Sequence, residues 1–232
     1  MSISFSASQD LSFTFDNQNN IDEGDNHILI LQSNGTVTAM GFDNIGYGNV
    51  TTVPAGLTDV VAIDVGYHHN LALKSDGSVV AWGGNGWFST VVDVPDDLTN
   101  VVAISAGYWH NLALKSDGSV VAWGTLDQTY DHGQMDVPLF FQAVAISAGS
   151  YHNLALHSDG TVTAWGRNDE DQSTALGFAV DVVAISAGAN HNLALSSDGN
   201  VYAWGSNSHG QCDVPDGLND VVAIDAGEFR NL

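Results

Sequence analysis

The chain of 232 residues carries 27 acidic residues against four basic ones, which gives a formal net charge of −23. This charge excludes the usual mode of nucleic-acid binding, because phosphates are held by lysine and arginine, and it disfavours anionic membranes for the same reason. A basic protein partner, divalent cations or a salty environment suits the charge, and solubility alone also accounts for it.

A single cysteine, Cys212, excludes an internal disulfide bond and zinc sites built from cysteine pairs. The sequence contains no run of about 18 apolar residues, so it predicts no membrane span. The first residues lack the basic segment and the long apolar stretch of a secretory signal. Since the chain could be a mature form or a fragment, cytoplasmic and extracellular locations both stay open.

The first predicted elements in chain order are two short strands. Residues 3–7 (Ile-Ser-Phe-Ser-Ala) and 11–15 (Leu-Ser-Phe-Thr-Phe) alternate apolar and polar side chains, which is typical of a half-buried strand. From about residue 20 onward one motif then recurs every 39–42 residues. Its anchor is a glycine that follows an apolar run, at Gly24, Gly66, Gly107, Gly149, Gly188 and Gly227.

Each copy of the motif predicts three strands. In the most regular copies these are a Val-Val-Ala-Ile run, an Asn-Leu-Ala-Leu-Lys run and a Ser-Val-Val-Ala-Trp-Gly run. The Ser-Asp-Gly between the second and third runs predicts a hairpin turn, because aspartate and glycine tolerate positive φ. All four prolines follow a valine in the connections between copies, where a missing N–H is tolerated: Pro54, Pro95, Pro138 and Pro215.

A unit of about 40 residues with three or four strands, and without helical periodicity, predicts the blade of an all-β, β-propeller fold. Small residues such as Ala72 and Ala81 are expected where blades approach each other. We expect the tryptophans of the Ala-Trp-Gly runs to fill the gaps between blades: Trp82, Trp123, Trp165 and Trp204.

Five nearly complete copies and the start of a sixth predict about six blades in one domain over residues 1–232. The N-terminal strands within residues 1–20 would complete the sixth blade and so remove the exposed sheet edges. An open fragment and a ring completed by a second chain are the alternatives.

The pattern Ala-Gly-x-x-His-x-Leu-Ala-Leu-x-x-Asp-Gly-x-Val-x-Ala-Trp-Gly resembles the regulator of chromosome condensation repeats, a β-propeller family, over roughly residues 18–232. Gly133-Gln134 and Gly210-Gln211 match another feature of these repeats. The short units with Asp-Val-Pro connections, at 93–95, 136–138 and 213–215, are similar to bacterial short repeats of the type found in β-lactamase inhibitory protein II.

The resemblance implies a non-enzymatic propeller that binds a protein partner on one face of the ring, with an enzyme inhibitor as the specific version. A structural or cell-surface repeat scaffold is the first alternative. A guanine-nucleotide exchange factor is the second, although the inserted wedge on which exchange depends in the family is not found in this sequence.

Five histidines occupy one position of the repeat: His27, His69, His110, His152 and His191. A ring of histidines could hold a metal or move protons. Equivalent positions on separate blades rarely come within the few ångströms that one metal requires. We therefore expect each histidine to bond the loop of its own blade, and Arg230 takes this position in the sixth copy.

The two residues between anchor glycine and histidine vary in an otherwise uniform repeat, and four of these six pairs contain an aromatic residue. Because the position repeats, we expect these loops to open on one face as a ring of exposed aromatic residues, a composition common in protein-binding surfaces. The alternative is that these aromatic residues wedge between blades. Loops after Ala-Trp-Gly could extend the surface. The predicted partner-binding residues are Tyr67, His68, Trp87, Phe88, Tyr108, Trp109, Tyr130, Tyr151, Asn190 and Phe229.

Motifs of catalysis are absent from the sequence. There is no Gly-x-Ser-x-Gly, phosphate loop or dinucleotide fingerprint, and Cys212 has no distinctive partner for a nucleophile. Asp169, Glu170 and Asp171 could hold calcium, but they lack the spacing of a calcium loop, so a solvated acidic loop is expected. The sequence therefore predicts no enzyme activity, no cofactor and no metal site.

Overall fold

The structure is a computed structural model of the chain. It describes residues 20–24, 26–43, 48–84, 90–124, 130–139, 142–174 and 181–231. The predicted strands at 3–7 and 11–15 lie outside these residues, so ring closure by the N-terminus stays a prediction. Across the segments described, no helix is long and apolar enough to cross a lipid bilayer.

The first five copies each form one three-stranded antiparallel sheet, with the strands in sequence order. The strands are β1 (Asn20–Glu23), β2 (His27–Leu31) and β3 (Val37–Gly41); β4 (Val60–Val65), β5 (His69–Lys74) and β6 (Val79–Gly83); β7 (Val101–Ala106), β8 (His110–Lys115) and β9 (Val120–Gly124); β10 (Ala143–Ala148), β11 (His152–His157) and β12 (Val162–Gly166); β13 (Val182–Ala187), β14 (His191–Ser196) and β15 (Val201–Gly205). The sheets are the blades of an all-β propeller, as the sequence predicted.

The sixth copy is represented by residues 221–231. Ala226 and Asn231 form an isolated antiparallel bridge. Ile224 is buried and packs against Leu193 and Leu195 of the fifth blade. The start of the sixth copy therefore docks on the fifth blade as the other copies dock on their predecessors.

The Ser-Asp-Gly segments form the predicted hairpin turns. In the second blade, Gly77 has a φ of 79°, and the Oδ1 atom of Asp76 accepts a hydrogen bond from the Ser78 N–H at 3.0 Å. The turn also reaches the next blade, because the Gly77 carbonyl accepts from the Val101 N–H at 3.2 Å. Each turn is thereby hydrogen-bonded to the start of the next copy's first strand.

The hydrophobic core lies between blades. Leu71 and Leu73 of β5 are buried with Ala113 and Trp123 of the third blade in one apolar cluster. The fully buried alanine allows close approach of the two sheets, and the tryptophan covers the remaining gap. The predicted roles of the small alanines and of the tryptophans are confirmed in these clusters.

The repeated histidines join successive blades, so the expectation that each bonds its own blade's loop was wrong. Each Nε2 atom lies against the Oδ1 atom of an asparagine one period later in the chain. These bonds, at 2.6–2.7 Å, join His27 to Asn70, His69 to Asn111, His110 to Asn153, His152 to Asn192 and His191 to Asn231. In the first four blades the middle strand packs against the first strand of the next blade, which brings the histidine within reach of the next asparagine.

The asparagines fix which ring nitrogen carries the proton. The Asn153 Nδ2 group donates to the Gln134 carbonyl at 2.7 Å, so its Oδ1 accepts from the His110 Nε2–H. Burial lowers the pKa of His69 to about 3 and the pKa of both His110 and His152 to about 4. These histidines are therefore neutral, structural donors at neutral pH. No group of three or more His, Cys, Asp or Glu side chains within the described segments is arranged to hold a metal.

The anchor glycine cannot carry a side chain, because a side chain there would overlap the same histidine. A Cβ on Gly107 would overlap the imidazole ring of His110 and lie 2.6 Å from the carbonyl oxygen of Gly149 in the next copy. Gly66, Gly149 and Gly188 have the same surroundings. The Gly-x-x-His spacing therefore reflects ring-on-backbone packing that leaves no room for a side chain.

A second set of hydrogen bonds links the first strands of successive blades, which lie nearest the propeller axis. The Asp64 Oδ2 atom accepts from the Ala106 N–H of the next blade at 2.9 Å, and Ser105 Oγ accepts from the Ala148 N–H at 3.0 Å. The other described junctions repeat this bond, from Asp22 to Val65, Ser147 to Ala187 and Ser186 to Ala226. Each blade is thus tied to the next at two levels.

Candidate functional site

The variable residue pairs lie in tight turns at one end of the propeller. The Gly66 N–H donates to the His69 carbonyl at 2.9 Å and so closes the turn that contains Tyr67 and His68. The same bond closes the corresponding turn of the other copies, including that from Gly227 to Arg230. The turns are also linked to one another, for example by the Tyr108 N–H donating to the Ser150 carbonyl at 3.2 Å.

These turns surround a central cavity of about 530 Å³ on the propeller axis. All six copies contribute to its wall, each with its anchor glycine and neighbouring residues. Its ionisable lining residues other than tyrosine are Asp22, Glu23, Asp225, Glu228 and Arg230. In the second to sixth copies at least one residue of the variable pair lines this cavity: Tyr67, Tyr108, Ser150, Ala189, Glu228 and Phe229.

Four half-buried tyrosines, which we call the aromatic surface, form a continuous set of ring contacts: Tyr67, Tyr108, Tyr130 and Tyr151. The Tyr67 and Tyr108 rings stack with centroids 4.4 Å apart, and Tyr108 meets Tyr151 edge to face at 5.6 Å. Tyr130 lies parallel to Tyr151 at 6.2 Å. Residues from the second, third and fourth copies are thus combined into one surface.

His68 and Trp109 were expected to be exposed members of this surface, and that expectation was wrong. Each is only 5% exposed. Both rings pack beneath the aromatic surface, with the His68 ring 4.1 Å and the Trp109 ring 5.5 Å from that of Tyr67. Their aromatic area supports the tyrosines and is not available for contact with a partner.

The loop after the third blade is shaped by Gln134, which is fully buried. Its amide donates to the Tyr130 carbonyl and accepts from the His132 N–H, both at 2.7 Å. These bonds hold Tyr130 beside the aromatic surface and bring His132 to 5.2 Å from the ring of Tyr151. His132 was missed by sequence reasoning, although the Gly-Gln pair immediately after it was a usable signal.

Arg167 adds a positive charge at the edge of the aromatic surface. Its guanidinium lies 5.9 Å from the ring centroid of Tyr151 and forms an ion pair with Asp169 at 2.5 Å. The carboxylate raises the pKa of Arg167, so the guanidinium stays charged. The Asp169 carboxylate is therefore paired with an arginine of its own loop.

The other predicted site residues stand apart from the aromatic surface. Phe229 is 51% exposed, lines the axial cavity, and its ring lies 4.9 Å from that of His209. Asn190 is half-buried, and its carbonyl accepts from the Ser206 N–H at 2.8 Å. Trp87 and Phe88 lie outside the described residues.

Cys212 is placed as a structural residue. Burial raises the pKa of its thiol, and the sulfur donates to the Ser206 carbonyl at 3.2 Å. A thiol held in its protonated form is a poor nucleophile, because the thiolate is the reactive species.

Solved structures share this fold. Prp20p of Saccharomyces cerevisiae, described with its binding to Gsp1p and histones, is 20% identical with a TM-score of 0.70 over 90% of this chain and 66% of its own. The receptor kinase CR4 ectodomain of Physcomitrella patens is 22% identical with a TM-score of 0.70 over 90% of this chain and 56% of its own. At such identity the likeness concerns the fold alone.

In sequence, protein pim1 of Schizosaccharomyces pombe is 34% identical over 89 residues, which are 29% of this chain and 16% of pim1. The chain thus corresponds to a small part of that relative. The Regulator of chromosome condensation (RCC1) repeat matches residues 60–86, 101–133, 143–172 and 182–211, the second to fifth copies and more than half of the chain. The chain therefore belongs to the RCC1-repeat family of β-propellers.

Proposed function

We propose that this propeller is a non-enzymatic binding module whose aromatic surface contacts a protein partner. The observation that carries the proposal is the continuous contact among Tyr67, Tyr108 and Tyr151 across three copies. Tyrosine is enriched in the energetically dominant parts of protein interfaces, because it buries a large apolar ring and keeps a polar hydroxyl.

The rigidity of this surface supports the same function. Its tyrosines rest on the buried rings of His68 and Trp109, and the Tyr130 loop is fixed by Gln134. Side chains that are already ordered lose little conformational entropy on binding, which favours affinity. Prp20p, the yeast RCC1, shares the fold and is described with protein partners: Gsp1p and histones in one structure and Kap60 in another.

The test uses the parent chain, the double variant Tyr130→Ala/Tyr151→Ala and the control Leu139→Ala, whose side chain is 80% exposed in a Val-Pro connection. Each is immobilised and exposed to a lysate of the cell that produces the chain. Proteins retained by the parent are identified, purified and titrated against all three chains. We expect the double variant to bind at least about tenfold more weakly, the loss typical of removing an interface hot spot. Equal affinities for all three chains would overturn the proposal.

The specific version, enzyme inhibition, rests on the short units with Asp-Val-Pro connections. It is tested by adding the parent chain to a purified class A β-lactamase during steady-state hydrolysis of a β-lactam. Inhibition that is lost in Tyr130→Ala/Tyr151→Ala supports this version. Hydrolysis that continues unchanged at a large excess of the chain rejects the inhibitor and leaves the binding module to the preceding experiment.

A further inference from the structure

The axial cavity is kept open by the repeat itself. All six anchor glycines line its wall, where they place no side chain in the open space. A volume of about 530 Å³ lies within the range of roughly 300–1,000 Å³ that is typical of ligand-binding pockets. The cavity can therefore receive part of a partner without a rearrangement of the wall.

The ionisable side chains around this cavity are mostly carboxylates. Asp22 and Glu23 come from the first copy, and Asp225 and Glu228 come from the sixth. Arg230 is the cation of the lining, and it forms no ion pair with any residue in the described part of the chain. The mouth therefore has a net negative charge that its own residues do not neutralise.

Two aromatic faces accompany these carboxylates. Tyr67 and Tyr108 both line the cavity and stack on each other. Burial, and then the charge of Glu228, raises the pKa of Tyr108 to about 12. Tyrosine rings beside carboxylates form a suitable site for a lysine or arginine head group, which interacts with the ring faces and with the negative charges.

Asp22 contributes less to this negative charge than the other lining carboxyl groups. Burial, and then the charge of Asp64, raises the pKa of Asp22, which favours its protonated form. The negative charge at the mouth therefore comes mainly from Glu23, Asp225 and Glu228, which are exposed.

We infer that the axial cavity receives a lysine or arginine side chain from a basic loop of the protein partner. This inference rests on the proposed function, because the same loop would cover the aromatic surface. The two features are continuous: Tyr67 and Tyr108 belong both to the aromatic surface and to the cavity wall. The formal charge of −23 attracts such a loop from a distance and speeds association.

The test compares two double variants that remove the same number of charges. Asp225→Asn/Glu228→Gln neutralises the cavity mouth, and Asp96→Asn/Asp97→Asn neutralises two exposed carboxylates in a Val-Pro connection. The probe is a peptide with four lysines separated by glycine and serine, together with its Nε-acetyl-lysine counterpart. Thermal unfolding of each variant verifies that it is folded.

We expect the lysine peptide to bind the parent, and its Kd to rise at least about tenfold in the mouth variant but less than about twofold in the matched control. The acetylated peptide should not bind the parent. Equal weakening in both variants would show attraction to the acidic surface in general and would overturn the inference, as would the absence of binding to the parent.

The purified partner from the lysate experiment separates this inference from the proposed function. A partner that is weakened by Tyr130→Ala/Tyr151→Ala but not by Asp225→Asn/Glu228→Gln uses the aromatic surface without the cavity, and it overturns only the inference. A partner that is unaffected by either variant overturns the proposed function. Weakening by both variants supports both.

Discussion

The Nε2 atom of His110 lies 2.7 Å from the Oδ1 atom of Asn153, which is 43 residues later in the chain. Both residues are fully buried, and the bond crosses from the third blade to the fourth. Because the Asn153 amide also donates to the Gln134 carbonyl, one side chain bonds to two buried polar groups. The integrity of the interface between these blades depends on it.

We predict that Asn153→Ala lowers the free energy of unfolding by about 1–3 kcal/mol, the usual cost of an unsatisfied buried polar group, because the His110 Nε2–H loses its acceptor. The Gln134 carbonyl keeps the hydrogen bond that Trp165 Nε1 donates at 3.0 Å. Urea denaturation at neutral pH measures the loss. Asn219→Ala serves as control, since Asn219 is exposed and its amide bonds only the Gly217 carbonyl in its own turn. Similar midpoints for the two variants would contradict the prediction.

We predict that the free energy of unfolding falls as the solution is acidified, at pH values higher than those at which surface carboxylates titrate. His69, His110 and His152 have pKa values of about 3 to 4 when folded and an ordinary value of 6.5 when unfolded. The unfolded chain therefore binds more protons, so stability is complete above about pH 6.5 and is lost as the pH falls towards 4. Each histidine contributes a loss of about 1.4 kcal/mol per pH unit, or about 4 kcal/mol per pH unit for the three.

Urea midpoints measured at successive pH values between about 7 and 4.5 test this slope. Asp22 acts in the opposite direction, because its raised pKa makes the folded state bind a proton first, and it subtracts up to one proton from the slope. A free energy of unfolding that is flat across this interval would show that the histidines are not held neutral.

Gly107→Ala is predicted to be strongly destabilising because the added methyl group meets the His110 ring and a backbone carbonyl. Overpacking usually costs about 1–3 kcal/mol, and a backbone neighbour gives little relief, so we expect at least about 3 kcal/mol. Gly56→Ala is the matched comparison: its surroundings are open, but its φ is 80°, so only strain of about 1 kcal/mol is expected. A loss no larger at Gly107 than at Gly56 would refute the packing argument.

Trp109 and Tyr151 are predicted to respond differently to alanine. Trp109 is 5% exposed, and removal of a buried aromatic ring costs about 3–5 kcal/mol. Tyr151 is half-buried, so Tyr151→Ala should lower the melting temperature less and act mainly on partner binding. Thermal unfolding of both variants decides the point, and a larger drop for Tyr151→Ala would reverse the assignment.

Much of the fold could be predicted because the repeat displays it several times. The hairpin turns were predictable from their own residues, since Asp76-Gly77 and its equivalents in the other blades favour positive φ at the glycine. Likewise, a small Ala113 opposite large leucines indicates close sheet packing. These are local signals, and each is visible within one copy.

The interactions between copies could not be predicted in the same way. The partner of His110 is one period away, and its identity depends on how two blades lie against each other. Trp109 and Tyr108 are adjacent in the sequence, yet one is buried and the other half-buried. Gln172 is fully buried, as Gln134 is. The residue before it is Asp171, with a φ of 60°, where the third copy has a glycine. The Gly-Gln pair is therefore not visible in the sequence of the fourth copy.

The histidine–asparagine bonds all run in one direction, from a donor in one copy to an acceptor in the next. An internal copy therefore carries both halves of the junction: an asparagine for its predecessor and a histidine for its successor. If a gene duplication inserted one whole period between two such copies, both new junctions would be complete at once. The number of blades is thus open to evolutionary change in single steps, without any new interface having to be invented.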